Sequence, residues 1–391
     1  MTKGPKNIAI LANTSWSVFN FREGLIRQLL QQGLRVVVIA PEDQFSGKLE
    51  AMGCVFEAAP IRNYSLNPLD DLRYMAALYR MMKKWRIDYA LSFTIKPNIY
   101  GQLAARLLGI PALAVVTGLG HLFTSPGWKT KAATWLYRLG LRRAANVWFL
   151  NQDDRDLFLR EKIIRPAQAG LLPSEGVNTD FFCFTQPVSP KGPFCFLFAG
   201  RLMKEKGIYD YVQAARILRE KGLNARFLVA GFIEEHFPNA VRLAELQEWQ
   251  AQGLIEYVGA HEDIRPFLKA ADAVVLPTYY REGVPRILLE AASMGRPIVA
   301  TDNVGCREIV AEGVNGFLCE KKHPGSLAEK MLLLSNLPFS ARLQMGKAGR
   351  NMVEERFDEQ YIIRQYLRQL ELRLVVPEKE AQTSPAFSAG Y

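Results

Sequence analysis

Long apolar runs are missing: nothing in the 391-residue chain approaches the roughly 20 residues that a membrane-spanning helix requires. The N-terminus offers a strand-like run, IAILA, in place of the blocks of a signal peptide, so a cytoplasmic location is expected. Cysteine is scarce. The five, Cys54, Cys183, Cys195, Cys306 and Cys319, are odd in number, scattered and without paired metal-ligand spacing, which points to reduced, mostly buried thiols. No zinc knuckle, basic zipper or aromatic RNA-binding motif is found, and no nucleic-acid partner is expected. Acidic excess is also lacking. The net charge is +10, and residues 1–180 hold 23 Lys and Arg against 14 Asp and Glu, whereas the remainder holds 26 against 25. A basic first half suits an anionic membrane surface, where each cation is worth about 1 kcal/mol.

What is present is a repeated alternation of apolar strands and helices. NIAILA (7–12), a helix from Phe19 to Gln32, and RVVVIA (35–40) form the repeating unit of a doubly wound parallel sheet. YALSF (89–93) and ALAVV (112–116) continue it, and FCFLFAG, ARFLVAG, LIEYVG and AVVLP repeat the pattern after the Pro-rich stretch TQPVSPKGP (185–193). The length exceeds what one core usually organises, so two domains are expected.

The most informative stretch is TYYREGVPRILLEAASMGRPIVAT (278–301): a buried strand, then a Gly/Pro loop, then a helix start. First-turn amides and the helix dipole make such a start a place to hold an anion, here the amides from Gly283 to Arg286. Glu282 and Glu290 flank the turn, too far apart to share a proton and well spaced to take two hydroxyl-bearing parts of one ligand.

EGVPRILLEAASMGRPIVAT resembles the donor-site signature of the family 4 retaining glycosyltransferases. FAGRLMKEKGIYDYVQAARIL (198–218) is similar to that family's second donor motif, with Arg201 and Lys206 at its basic positions. The resemblance spans nearly the whole chain and implies an α/β, GT-B fold: two doubly wound, Rossmann-like domains facing each other across a cleft. It implies an acceptor-binding domain over 1–180, a nucleotide-sugar-binding domain over 181–360, a helix crossing back over 361–376, and a disordered tail over 377–391. It further implies transfer of a hexose or N-acetylhexosamine, with retention, from a nucleotide sugar, UDP being the expected nucleotide. FNFREGL, FTIKPNIYG and TGLG look most like bacterial enzymes of capsule, O-antigen or exopolysaccharide assembly. The expected acceptor is therefore a polyprenyl-diphosphate-linked saccharide at the inner face of the cell membrane. Two other readings stay open: a nucleotide-sugar 2-epimerase of the same fold, and a non-catalytic nucleotide-binding partner subunit.

On this resemblance the donor residues are Gly200, Arg201, Lys206, His261, Glu282, Gly283, Val284, Pro285, Arg286 and Glu290. Arg201 and Lys206 neutralise the departing diphosphate, Glu282 holds the transferred sugar, and Glu290 holds the ribose. No cofactor and no metal are expected. Acceptor candidates lie in the first half. Asn13 and Ser15 occupy a turn where related enzymes often have glycine. Lys96 and Asn98 flank Pro97 at a helix start and suit a diphosphate. His121, in TGLGHLFTSPGW, is placed to take the acceptor proton. Residues 129–149 read as one helix that combines Lys129, Lys131, Arg138, Arg142 and Arg143 with Trp135, Tyr137 and leucines, a composition that suits either a lipid interface or the sheet.

Overall fold

The computed structural model describes residues 6–374, except 64, 66, 121, 122, 124–126, 187–191 and 234–238. His121 and the tail over 377–391 lie outside the described residues.

Two all-parallel sheets make up the fold. The first contains β1 (Asn7–Leu11), β2 (Arg35–Ala40), β3 (Val55–Ala58), β4 (Tyr89–Phe93), β5 (Ala112–Val116), β6 (Asn146–Phe149) and β7 (Ala169–Leu171), in the order β3-β2-β1-β4-β5-β6-β7. The second contains β8 (Phe194–Ala199), β9 (Ala225–Ala230), β10 (Glu256–Gly259), β11 (Ala273–Leu276), β12 (Ile298–Thr301) and β13 (Gly316–Cys319), in the order β10-β9-β8-β11-β12-β13. In each sheet the order reverses beside the first strand, which opens a crevice at the carboxyl edge.

Period-two patterning explains the layers. Along β1, Ala9 and Leu11 join one core with Tyr74, Leu78 and Tyr137, beneath the helices Pro68–Lys84 and Trp128–Leu141. Ile8 and Ile10 join the opposite core with Val18, Leu25, Ile26 and Leu29 of the helix Ser15–Gln31. That second layer is completed from far along the chain: Ile362, Ile363, Tyr366 and Leu370 of the helix Glu359–Leu374 pack into it. The second sheet has its own continuous core, built around Phe196, Phe198, Tyr211 and Val274.

Several boundaries differ from the sequence expectation. The first helix begins at Ser15, not Phe19, because the Thr14 side chain caps it by accepting from the Ser17 amide at 3.1 Å. Residues 129–149 are not one element: the helix ends at Leu141 and β6 follows. β3 and β7 were not anticipated; both are edge strands only three or four residues long, with half-exposed sequences.

The chain passes between the domains twice, side by side. The Val177 amide donates to the Phe357 carbonyl at 2.9 Å, and the Glu359 amide donates to the Val177 carbonyl at 3.0 Å. Beside this crossing Arg22 pairs with Glu175, its guanidinium 3.8 Å from the centre of the Phe93 ring. No described helix is long and apolar enough to cross a membrane.

Candidate active site

The loop after β8 and the loop after β11 lie side by side because their strands are neighbours. Gly200 and Arg201 leave the end of β8, and a tight turn, Lys204–Lys206, brings Lys206 back toward β11. Gly207 ends that turn with φ +81°, and a Cβ there would fall 2.1 Å from the Pro277 carbonyl oxygen, so glycine alone fits between turn and strand end. The Glu205 carbonyl then accepts the amides of Tyr279 and Tyr280 at 2.9 and 3.0 Å. Asn303, nearly buried, donates to the carbonyls of Thr278 and Tyr280 at 3.1 and 2.9 Å. These bonds fix the loop that bears Glu282.

Lys206 Nζ donates to both oxygens of Glu282, at 2.8 and 2.7 Å. The pair is largely enclosed, with 11% and 17% of the side chains exposed. The Thr278 hydroxyl lies 3.1 Å from Glu282 Oε1. Arg201 stands over Tyr280, its guanidinium 5.6 Å from the ring centre. Thus the two residues expected to act on diphosphate and sugar are brought together, each neutralising the other.

Glu290 lies in the helix Arg286–Ser293 and receives a hydrogen bond from Arg286 Nε at 3.0 Å. Burial pushes its carboxyl above the usual range and Arg286 opposes that shift. Arg286 also donates to the Gly176 carbonyl at 2.8 Å, which ties the helix Arg286–Ser293 to the interdomain crossing.

The amide cradle is smaller than expected. The Gly283 N–H is taken by the Thr117 carbonyl of the first domain at 3.0 Å, and Pro285 has no N–H, which leaves the amides of Val284 and Arg286. His261 is exposed, with Nε2 2.7 Å from the Val258 carbonyl oxygen and its ring 4.4 Å from that of Phe267. Its neighbour Glu262 reaches Lys48 of the first domain at 3.0 Å.

The acceptor candidates divide. Asn13 follows β1 at the carboxyl edge, half-buried, its carbonyl accepting from Asn63 at 3.0 Å. Ser15 is fully buried and donates to the Pro41 carbonyl at 2.5 Å, so its hydroxyl holds the helix start to the end of β2. Asn98 is likewise fully buried, its amide donating to the Val115 carbonyl at 2.8 Å, and it belongs to the core. Lys96 spends its three N–H groups on the carbonyls of Arg62 and Ser65 and on Asp71, each at 2.7 Å. An ammonium satisfied three ways is a staple for Arg62 and Ser65 and is not poised for a diphosphate. Sequence alone could not separate these roles, since the partners are 17 to 34 residues away.

Across the cleft, residues 281–283 are gripped by the first domain. The Arg281 carbonyl accepts the Gly120 amide at 2.7 Å, and Arg281 Nε donates to Asp154 Oδ1 at 2.8 Å. A Cβ on Gly118, whose φ is +131°, would fall 2.7 Å from Glu282 Cα. Asp154 is fully buried; burial raises its pKa, and Arg281 draws it back. Asp154 and Asp156 form an Asp-x-Asp spacing, but Asp154 is buried against Arg281, whereas Asp156 pairs with Arg155 at the surface. Among the described residues, no three His, Cys, Asp or Glu side chains are grouped to hold a metal ion. On the other flank Trp16 meets Phe232 edge-on, ring centres 6.4 Å apart.

Comparison with known proteins agrees with this fold. The family described as glycosyl transferases group 1 matches residues 182–352, and the glycosyl transferase 4-like domain matches residues 21–174. An N,N'-diacetylbacillosaminyl-diphospho-undecaprenol alpha-1,3-N-acetylgalactosaminyltransferase from Campylobacter jejuni is 28% identical over 92% of this chain and 97% of its own. A UDP-Gal:alpha-D-GlcNAc-diphosphoundecaprenol alpha-1,3-galactosyltransferase from Escherichia coli is 28% identical over 66% of this chain and 68% of its own. In fold, the chain is similar to a glycosyltransferase from Rickettsia africae (TM-score 0.77, 18% identity, 95% of this chain and 99% of that one). It is also similar to the Anabaena HepE protein in complex with UDP (TM-score 0.75, 19% identity, 94% and 100%). The two family matches follow one another over the two sheets, so the chain is similar over one half to the glycosyl transferases group 1 and over the other to the glycosyl transferase 4-like domain, on a GT-B fold.

Proposed function

We propose that the chain transfers a hexose or N-acetylhexosamine, with retention of configuration, from a UDP-sugar to a polyprenyl-diphosphate-linked saccharide in surface-polysaccharide synthesis. The observation that carries this reading is the enclosed Lys206–Glu282 pair at the cleft, beside Arg201 and the start of the helix Arg286–Ser293. When the donor enters, Lys206 exchanges a carboxylate for the diphosphate, and Glu282 is released to accept hydrogen bonds from sugar hydroxyls. Arg201 and the amides of Val284 and Arg286 add positive character where the leaving group gains charge. Glu290, held by Arg286, accepts from the ribose hydroxyls. Both relatives with undecaprenyl-diphosphate acceptors form alpha linkages, which supports retention and the lipid-linked acceptor.

The second domain is the donor domain in this reading, and the first receives the acceptor at the membrane. The outward face of the helix Trp128–Leu141 supports that placement. Trp128, Trp135 and Leu139 are 70%, 59% and 40% exposed, interspersed with exposed Lys131, Arg138 and Arg142, while Ala133, Tyr137 and Leu141 face the core. Leu69, Leu72 and Leu107 are exposed on helices of the same layer. Such a surface lies in the interface of an anionic membrane, aromatics at headgroup depth and cations toward phosphate.

Release of UDP from a panel of UDP-sugars, with and without a detergent-solubilised polyprenyl-diphosphate saccharide, tests the proposal. Acceptor-dependent release, lost in Glu282→Ala and Lys206→Ala, is expected. Free monosaccharide without acceptor would decide for a 2-epimerase. Equal, near-zero turnover by parent and both variants would decide for a nucleotide-binding subunit.

A further inference from the structure

The donor-side loop is not held by its own domain alone. Three consecutive residues make three separate contacts with the first domain: the carbonyl of Arg281 with Gly120, the Cα of Glu282 against Gly118, and the amide of Gly283 with Thr117. The Arg281 side chain adds a fourth, to Asp154. Asp154 is held by Asn151, which caps the helix Gln152–Arg160 and bonds both its backbone N–H (2.8 Å) and its Oδ2 (3.1 Å). Its carboxylate is fully buried, whereas Arg281 remains 24% exposed, so the fixed partner is in the first domain and the reaching partner is in the second. A buried carboxylate without a partner is costly, which draws Arg281, and with it the loop, onto the first domain. A second pair next to it, Arg307 with Asp153 at 3.1 Å, crosses the same gap but is 44% and 49% exposed, and such pairs contribute little.

We propose that Asp154 and Arg281 are positioning residues for transfer: their pair sets Glu282 against Lys206 when the domains meet, so that the site is completed across the interface. This rests on the reading that Glu282 contacts the transferred sugar. Glu282 is the middle residue of the gripped triplet, so its backbone is placed by the first domain while its carboxylate answers to Lys206 in the second. Loss of the pair lets the loop drift with the interdomain angle. Misplacement by about 1 Å costs transfer on the order of 10²-fold, yet UDP binding is spared because its contacts lie within the second domain.

The test uses the full chain, with turnover read as UDP release from the UDP-sugar the parent accepts, and UDP affinity read by calorimetry. Arg281→Ala and Asp154→Asn should each lower kcat by about 30- to 100-fold, with the Kd for UDP unchanged within about twofold. The double variant should be no worse than the poorer single one. Arg281→Lys should retain part of the activity, and Arg307→Ala should stay within about twofold of the parent. Unchanged kcat in both single variants would overturn the role, as would a double variant that multiplies the two losses or a UDP affinity that falls in step with kcat. Glu282→Gln separates the two readings. If Glu282→Gln turns over like the parent, the donor-site reading has failed; if it is impaired while Arg281→Ala is not, only the positioning role has failed.

Discussion

Replacing Lys206 with alanine should affect folding and transfer by separable amounts. In the folded chain the ammonium donates to both Glu282 oxygens, and the two side chains are 11% and 17% exposed. Removing one partner of a buried pair costs about 3–5 kcal/mol, and the residual exposure places this case nearer about 2–3 kcal/mol, because the Thr278 hydroxyl still faces Glu282 Oε1 at 3.1 Å. For a domain of this size each kcal/mol moves the thermal midpoint by about 2–4 °C, so a fall of roughly 5–10 °C is expected. Transfer should fall by about 10²–10³, the loss that follows removal of one group stabilising leaving-group charge. The decisive variant is the double one, Lys206→Ala with Glu282→Gln. It removes the stranded carboxylate, so the midpoint should return to within a few degrees of the parent while turnover stays down. Calorimetric melts and UDP-release assays on the same preparations read both effects. Recovered turnover in the double variant would refute the reasoning, since it would make the pair a structural contact and nothing more. Unchanged turnover in Lys206→Ala would remove the lysine from the mechanism.

Four further outcomes are expected. Gly118→Ala forces a Cβ to within 2.7 Å of Glu282 Cα at positive φ and should reduce kcat by about 10²-fold, whereas Gly33→Ala, also at positive φ but with open space around it, should cost only about 1–2 kcal/mol of stability in denaturant titration. Lys96→Met should lower the thermal midpoint by several degrees, since it leaves Asp71 the Tyr100 hydroxyl but no cation and unties the carbonyls of Arg62 and Ser65; a normal melt with a raised KM for acceptor alone would restore Lys96 to a diphosphate site. Glu359 is partly buried and its carboxyl is pushed above 4.5 by desolvation, with Arg286 opposing, so the fold favours its protonated form. That contribution is present at low pH and lost as pH rises through the folded pKa; Glu359→Gln should therefore raise the midpoint at pH 7.5, with the gain vanishing toward pH 4.5. Lys131→Gln with Arg142→Gln should weaken sedimentation with anionic phospholipid vesicles by about 30-fold, at about 1 kcal/mol per cation, and leave binding to phosphatidylcholine unchanged; retention at high salt would point to insertion by Trp128 and Trp135.

The strands beside the cleft were legible because parallel strands covered on both faces read as near-continuous apolar runs: Tyr89–Phe93 and Ala112–Val116 match the expectation residue for residue. Lys206 and Glu282 stand out for another reason, since each lies in a short motif that resembles a donor-site signature of the family 4 glycosyltransferases. The contacts that decide the remaining roles were not. Lys96 reads as a cation before a helix start until Asp71 and the carbonyls of Arg62 and Ser65 fold onto it. Arg281 reads as one charge in a loop, and its partner Asp154 lies 127 residues earlier. Ser15 and Asn98 are polar residues near the right strand ends, yet both turn inward to satisfy carbonyls of the first sheet's own framework, at Pro41 and Val115. Polar side chains near a cleft are assigned by the direction they point, and direction is a property of the packed layers.

The helix Glu359–Leu374 supplies Ile362, Ile363, Tyr366 and Leu370 to a core whose other buried members lie between Ile8 and Leu172. Neither half can therefore be cloned as a simple N- or C-terminal fragment. An isolated N-terminal fragment would present a bare greasy trough over β1 and β4, and its counterpart would carry a sticky, unsupported helix. A workable split would graft those sixteen residues onto the leading fragment, so that each product owns all the side chains its interior needs.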